Sequence, residues 1–102
     1  MRLTDEQCNY LKLLGHDLRP TVNVGAGGLT NSLIKEIDAA LNREELVKVK
    51  VPFGDRERRG RVLDTLAPIS DALLIHRIGD AALLYRPATK PVINLPPAAD
   101  NH

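Results

Sequence analysis

A single cysteine, Cys8, stands in a chain of 102 residues. No disulfide can close within it, which suits a reducing compartment. Tryptophan is absent, and Tyr10, Phe53 and Tyr85 are the only aromatic side chains. Single-strand recognition on rows of stacked aromatic rings is therefore disfavoured, because bases need flat partners. No apolar run approaches the roughly 20 residues that span a bilayer. The N-terminus, Met1-Arg2-Leu3-Thr4-Asp5-Glu6, lacks the apolar centre of a signal peptide, and its acids speak against a transit peptide. A cytoplasmic protein with no membrane partner is expected. An excess of one charge sign is also missing. The formal net charge is +1, so any electrostatic argument must rest on where the charges lie.

Catalytic constellations are scarce. His16, His76 and His102 have no metal-ligand spacing to one another or to Cys8. No metal and no cofactor is expected. His76 alternates with Leu74 and Ile78 and reads as a packed strand residue. Cys8 has no neighbouring base and reads as a buried thiol. Glu44 and Glu45 sit at a helix exit with nothing in sequence to separate their pKa values, and read as surface. An enzyme is not expected.

What is present is enough apolar residue, 43%, for the core of one domain. Thr4 and Gln7 form a capping box ahead of Leu11, Leu14 and Leu18, predicting a helix over 5–14 that Gly15 stops. Pro20 forces extension, and Thr21 to Val24 reads as a strand. Thr30 caps a helix over 31–42 with Leu33, Ile34, Ile37 and Leu41 as its stripe. Leu46 to Val51 alternates, with Val47, Val49 and Val51 on one face and Lys48 and Lys50 on the other. Asp55 caps a third helix that carries Val62, Leu63 and Leu66. Pro68 should kink or end it. Leu73 to Ile78 and Ala82 to Tyr85 form a hairpin about Gly79-Asp80. The order α-β-α-β-α-β-β implies a compact α/β sandwich on a mixed four-stranded sheet. The domain is expected over 1–87. Residues 88–102, with Pro91, Pro96 and Pro97, form a Pro-rich tail expected to be partly disordered, Ile93 and Leu95 lying along the body.

Two features point beyond the core. Val24-Gly25-Ala26-Gly27-Gly28-Leu29-Thr30 places a Gly-x-x-Gly loop between a strand and a capped helix. Glycines let a backbone come within contact of a ligand, and a helix N-terminus beside them favours an anion. A tight strand-to-helix turn can demand glycine for its own sake as well. No Lys-Ser or Lys-Thr pair closes the loop as a P-loop, and the third spaced glycine of a dinucleotide site is missing. The second feature is charge placement. Residues 48–61 hold Lys48, Lys50, Arg56, Arg58, Arg59 and Arg61 against Asp55 and Glu57, a local charge of +4 that leaves −3 for the rest. Aligned cations can track phosphates; equally, they can be the wet side of a strand or helix.

Taken in order, Leu18-Arg19-Pro20, the glycine loop, Glu45-Leu46-Val47-Lys48-Val49-Lys50, Ile78-Gly79 and Leu83-Leu84-Tyr85-Arg86-Pro87 resemble the chloroplast RNA splicing and ribosome maturation (CRM) domains. The resemblance is to the stand-alone bacterial YhbY type and covers about residues 3–95. It implies a fold similar to the C-terminal domain of translation initiation factor 3. It also implies RNA binding, with the loop acting as in KH domains, where it clamps the nucleic-acid backbone. Carried over, the RNA-binding role falls on Gly25, Ala26, Gly27, Gly28, Arg19, Lys48 and Lys50, and on Arg86. The implied partner is 23S rRNA or a precursor of the large ribosomal subunit, bound by a monomer. The uncharged Ala26 and Gly27 depart from many relatives, so backbone N–H groups and flanking cations must supply the affinity. Other readings from the sequence are a module docking on a ribosomal protein, a group II intron splicing-type RNA binder, and an anion-binding enzyme fragment, for which only Thr30 and Ser32 lie near the loop.

Overall fold

A computed structural model of the chain describes residues 2–25 and 27–97. Ala26 in the loop, the end of the tail (98–102) and His102 lie outside the described residues. The elements follow in the expected order: α1 (Asp5–His16), β1 (Val22–Asn23), α2 (Asn31–Glu44), β2 (Leu46–Lys50), α3 (Arg56–Ile69), β3 (Leu73–Ile78) and β4 (Ala81–Tyr85). The sheet order is β1-β2-β4-β3. β1 runs parallel to β2; β4 is antiparallel to both its neighbours.

Each helix starts where its cap stands. Thr4 and Gln7 form the reciprocal box on α1. Thr30 Oγ1 accepts from the Leu33 N–H at 3.1 Å, and Asp55 Oδ1 accepts from the Arg58 N–H at 2.8 Å. Strand alternation then sorts the layers. Val47, Val49, Leu84 and Ala82 pack against Leu33, Ile37 and Leu41 of α2 and Leu63 and Leu66 of α3. On the other face, Leu46, Leu83 and Tyr85 pack against Leu11 of α1, with Ile93 and Leu95 of the tail closing the cluster. Gln7 Nε2 also donates to Pro96 O at 2.9 Å. The tail thus has no regular structure through Pro97, yet it lies on the body.

Four local expectations are corrected. Gly15 does not stop α1, which continues to His16. It is buried instead, and a Cβ there would stand 2.7 Å from Leu83 Cδ1. The glycine lets α1 approach the sheet. Pro68 does not interrupt α3, which runs one residue past it. The proline gives up the N–H bond that position 68 would make to Asp64 O, but only Ile69 follows it in the helix, so almost no helix remains beyond it to be kinked. His76 is exposed rather than packed, because an irregularity between Leu74 and His76 shifts the alternation and buries Ile75 in its place. Glu45 is not surface.

Glu45 is fully buried and follows α2 with φ +64°, a backbone position that usually goes to glycine. Its carboxylate accepts from the Ala88 N–H at 2.7 Å through Oε2, and from the Val92 and Ile93 N–H groups at 2.7 Å through Oε1. Burial raises the Glu45 pKa, but the three donors outweigh it and hold the carboxyl below its ordinary range. Burial, and then the charge of Glu45, push the Tyr85 hydroxyl up. One acid thus ties the tail to the end of α2.

Candidate functional site

The register brings the chain's turns to one end of the sheet. Asn23 pairs with Lys50, and the Val24 N–H donates to Lys50 O at 2.8 Å. The glycine loop therefore leaves β1 where β2 ends. Ala81 pairs with both Lys50 and Ile78, so the Gly79-Asp80 turn lies at the same end. The Val51 N–H fastens that turn by donating to Asp80 O at 2.7 Å. Because β1 and β2 lead directly into α2 and α3, both helix N-termini open here, the end of a helix that favours anions.

Gly25 and Gly27 are exposed and Gly28 half-buried. The Gly28 N–H donates to Gly25 O at 2.9 Å, closing a tight turn, and the Thr30 N–H donates to Gly28 O at 3.1 Å. Gly28 has φ +76°, which answers the turn's own demand for glycine. Gly25 has no such demand, and a Cβ at either position would meet nothing within 4 Å. The space above the loop is open, so a ligand backbone can reach it. The first turn of α2 carries no acid that would repel an anion.

The cations divide. Lys50 reaches the loop end; its Nζ lies 3.9 Å from Asp80 Oδ2, and 41% of its side chain is exposed. Lys48 shares the α1 face but donates from Nζ to Leu18 O at 2.8 Å, so it braces the connector between α1 and β1 while two N–H donors remain. Arg19 is exposed on that connector, at the start of β1. The structure does not bring Arg86 to this group. It follows β4 at the opposite end of the sheet, with its side chain 16% exposed and 2.8 Å from Asp38 Oδ1. It also donates to Ser70 O at 2.7 Å and to Asn42 Oδ1 at 2.9 Å, so its donors join α2 to the end of α3.

The arginine run separates as a helix requires. Arg61 pairs with Glu57 at 2.9 Å. Arg58 lies over the Phe53 ring, 5.6 Å from its centroid. Arg56 and Arg59 turn toward Arg77, Gly79 and Asp80 and line a cavity of about 660 Å³ with them. Arg77 was not legible as a site residue, since one arginine near a hairpin turn carries no distinguishing pattern. Among the described residues there is no cluster of three or more His, Cys, Asp or Glu arranged for a metal, and no helix is long and apolar enough to cross a membrane.

Fold and site together define a small α/β domain whose one sheet end combines an open Gly-x-x-Gly loop with cations. The chain belongs to the CRS1 / YhbY (CRM) domain family, whose model matches residues 3–86. It is 42% identical over 95 residues to the Pseudomonas aeruginosa protein named "Probable RNA-binding protein PA4753", covering 93% of this chain and 91% of the relative. It is 39% identical to a Haemophilus influenzae protein named "RNA-binding protein", covering 92% of this chain and 95% of that one. The solution structure of the hypothetical protein SAV1595 from Staphylococcus aureus is similar with a TM-score of 0.77 and 32% identity, covering 93% of this chain and all of that one.

Proposed function

We propose that this chain binds RNA and grips the ribose-phosphate backbone at the loop end of its sheet. The observation that carries the reading is the open space over Gly25 and Gly28 beside Lys50. Backbone N–H groups of the loop and of the first turn of α2 meet the phosphates, and Lys50 adds a charge. Lys48 and Arg19 extend the cationic strip along the edge strand. Relatives named as RNA-binding proteins support the reading. Contacts of this kind hold the backbone and do not read bases, so affinity falls steeply with salt. The target, by the family resemblance, is rRNA in a precursor of the large ribosomal subunit, engaged by a cytoplasmic monomer without catalysis.

Gly28→Asp tests the loop. It places a carboxylate where phosphate should pass and strains a backbone at φ +76° by about 1–2 kcal/mol. Affinity for single-stranded RNA should fall by about tenfold or more, or ~1.4 kcal/mol, with a native circular dichroism spectrum. Undiminished affinity in a folded variant would remove the loop from the site. Crosslinking in cells should capture large-subunit rRNA; capture of unrelated RNA alone would overturn the ribosomal target.

A further inference from the structure

The arginine-lined cleft at the same end of the sheet as the glycine loop, across from it on the β3 side, is the strongest unassigned feature. Arg56 and Arg59 reach it from α3, and Arg77 from β3. Two of the three are held in place. Arg59 Nη1 donates to Gly54 O at 2.6 Å, and Arg77 Nη1 donates to Asp64 Oδ1 at 3.0 Å. Each keeps further N–H donors in its fork. Arg56 makes no ion pair among the described residues. The one acid in the lining, Asp80, also lies 3.9 Å from Lys50 Nζ.

Gly60 adds an independent sign. A glycine inside a helix is unfavourable relative to alanine, and nothing in the backbone of α3 requires one. A Cβ at 60 would stand 3.3 Å from Arg77 Nη2. The missing side chain lets the Arg77 guanidinium lie across the helix and face the cleft. Helix propensity is given up where a cation is seated.

We propose that this cleft is a second phosphate-binding site, and that an RNA strand held by the glycine loop continues into it across the end of the sheet. The proposal rests on the RNA-binding reading and extends its footprint. β1 and β3 are three strand spacings apart, roughly 14 Å, and Lys50 stands between loop and cleft. Guanidinium forks match phosphate oxygens in pairs, so the cleft takes backbone phosphates of a strand longer than the loop alone can hold.

The test uses the full chain and two single-stranded RNA probes, a tetranucleotide and a dodecanucleotide, titrated over a range of salt. A KH-type loop clamps about four nucleotides, so the short probe reports on the loop. The double variant Arg56→Gln/Arg59→Gln should bind the tetranucleotide as wild type does. Its dodecanucleotide affinity should drop about tenfold, and the salt slope should fall by about 1.4, the value for two lost phosphate contacts on a single strand. Gly60→Ala should weaken dodecanucleotide binding with no loss in melting temperature, because only the seat of Arg77 is disturbed. A dodecanucleotide slope unchanged in the double variant would overturn the cleft and leave the loop reading intact. If wild-type chain bound neither probe, the RNA-binding reading and the cleft would fall together.

Discussion

The two ends of the sheet carry charge in opposite ways. At the far end, Glu45 and Arg86 are withdrawn from water and matched: the acid by three backbone donors, the arginine by Asp38, Asn42 and Ser70. At the loop end, Lys50 and Arg56 stand partly or wholly in solvent, and Gly25, Gly28 and Gly79 have open space where a side chain would be. The difference teaches that a charged residue's type says little about its role. Whether its hydrogen-bonding capacity is already used inside the molecule says much more, because an ion with satisfied partners gains little from a new one.

The sharpest way to break this contrast is Glu45→Ala. Three donors converging on a buried carboxylate would lose their acceptor, at about 3 kcal/mol, a fall in melting temperature of more than about 10 °C for a domain of this size. RNA affinity measured well below the transition should persist. A stability change under ~1 kcal/mol, too small for a lost buried acceptor, would show the carboxylate to be ornamental. Arg86→Met should have a smaller effect, about 1–2 kcal/mol given the half-exposed Asp38, measured by denaturant midpoint. RNA affinity should again be unaltered; a tenfold loss would return Arg86 to the interface. The gentlest probe is acid. The Glu45 pKa is depressed in the folded chain, so its contribution is complete above the unfolded glutamate value, about 4.3. It is lost as pH falls through the lower folded value. The stability difference between wild type and Glu45→Gln should therefore shrink on acidification, and the Ala88, Val92 and Ile93 amides should lose protection from hydrogen exchange in the same window. A difference constant with pH would contradict an ionised Glu45.

Much of the scaffold was readable because its signals are local. Thr4, Thr30 and Asp55 each satisfy donors a few residues away, and the Val47-Val49-Val51 alternation needs no knowledge of partners. The loop was readable because glycine spacing is itself sequence. What stayed hidden depends on residues far apart in the chain. Gly15 looks like a helix stop until Leu83 is seen against it. His76 obeyed alternation on paper, but an extra residue in the strand moved it to the surface. Glu45 finds its donors 43 or more positions away, and the approach of Arg77 to Gly60 joins a strand to a helix. Side chains that answer to a distant segment leave no periodic trace.

The strand order has a consequence for how the molecule is made. β4 lies between β2 and β3, yet of the four strands it is synthesised last. The donors for Glu45 come later still, at Ala88, Val92 and Ile93. A nascent chain extending from the ribosome can wind its helices early, but it has no central strand on which to assemble them. The sheet therefore cannot close before β4 is made, and a chain stalled before residue 81 leaves β2 and β3 without the strand that joins them and Glu45 without its three donors.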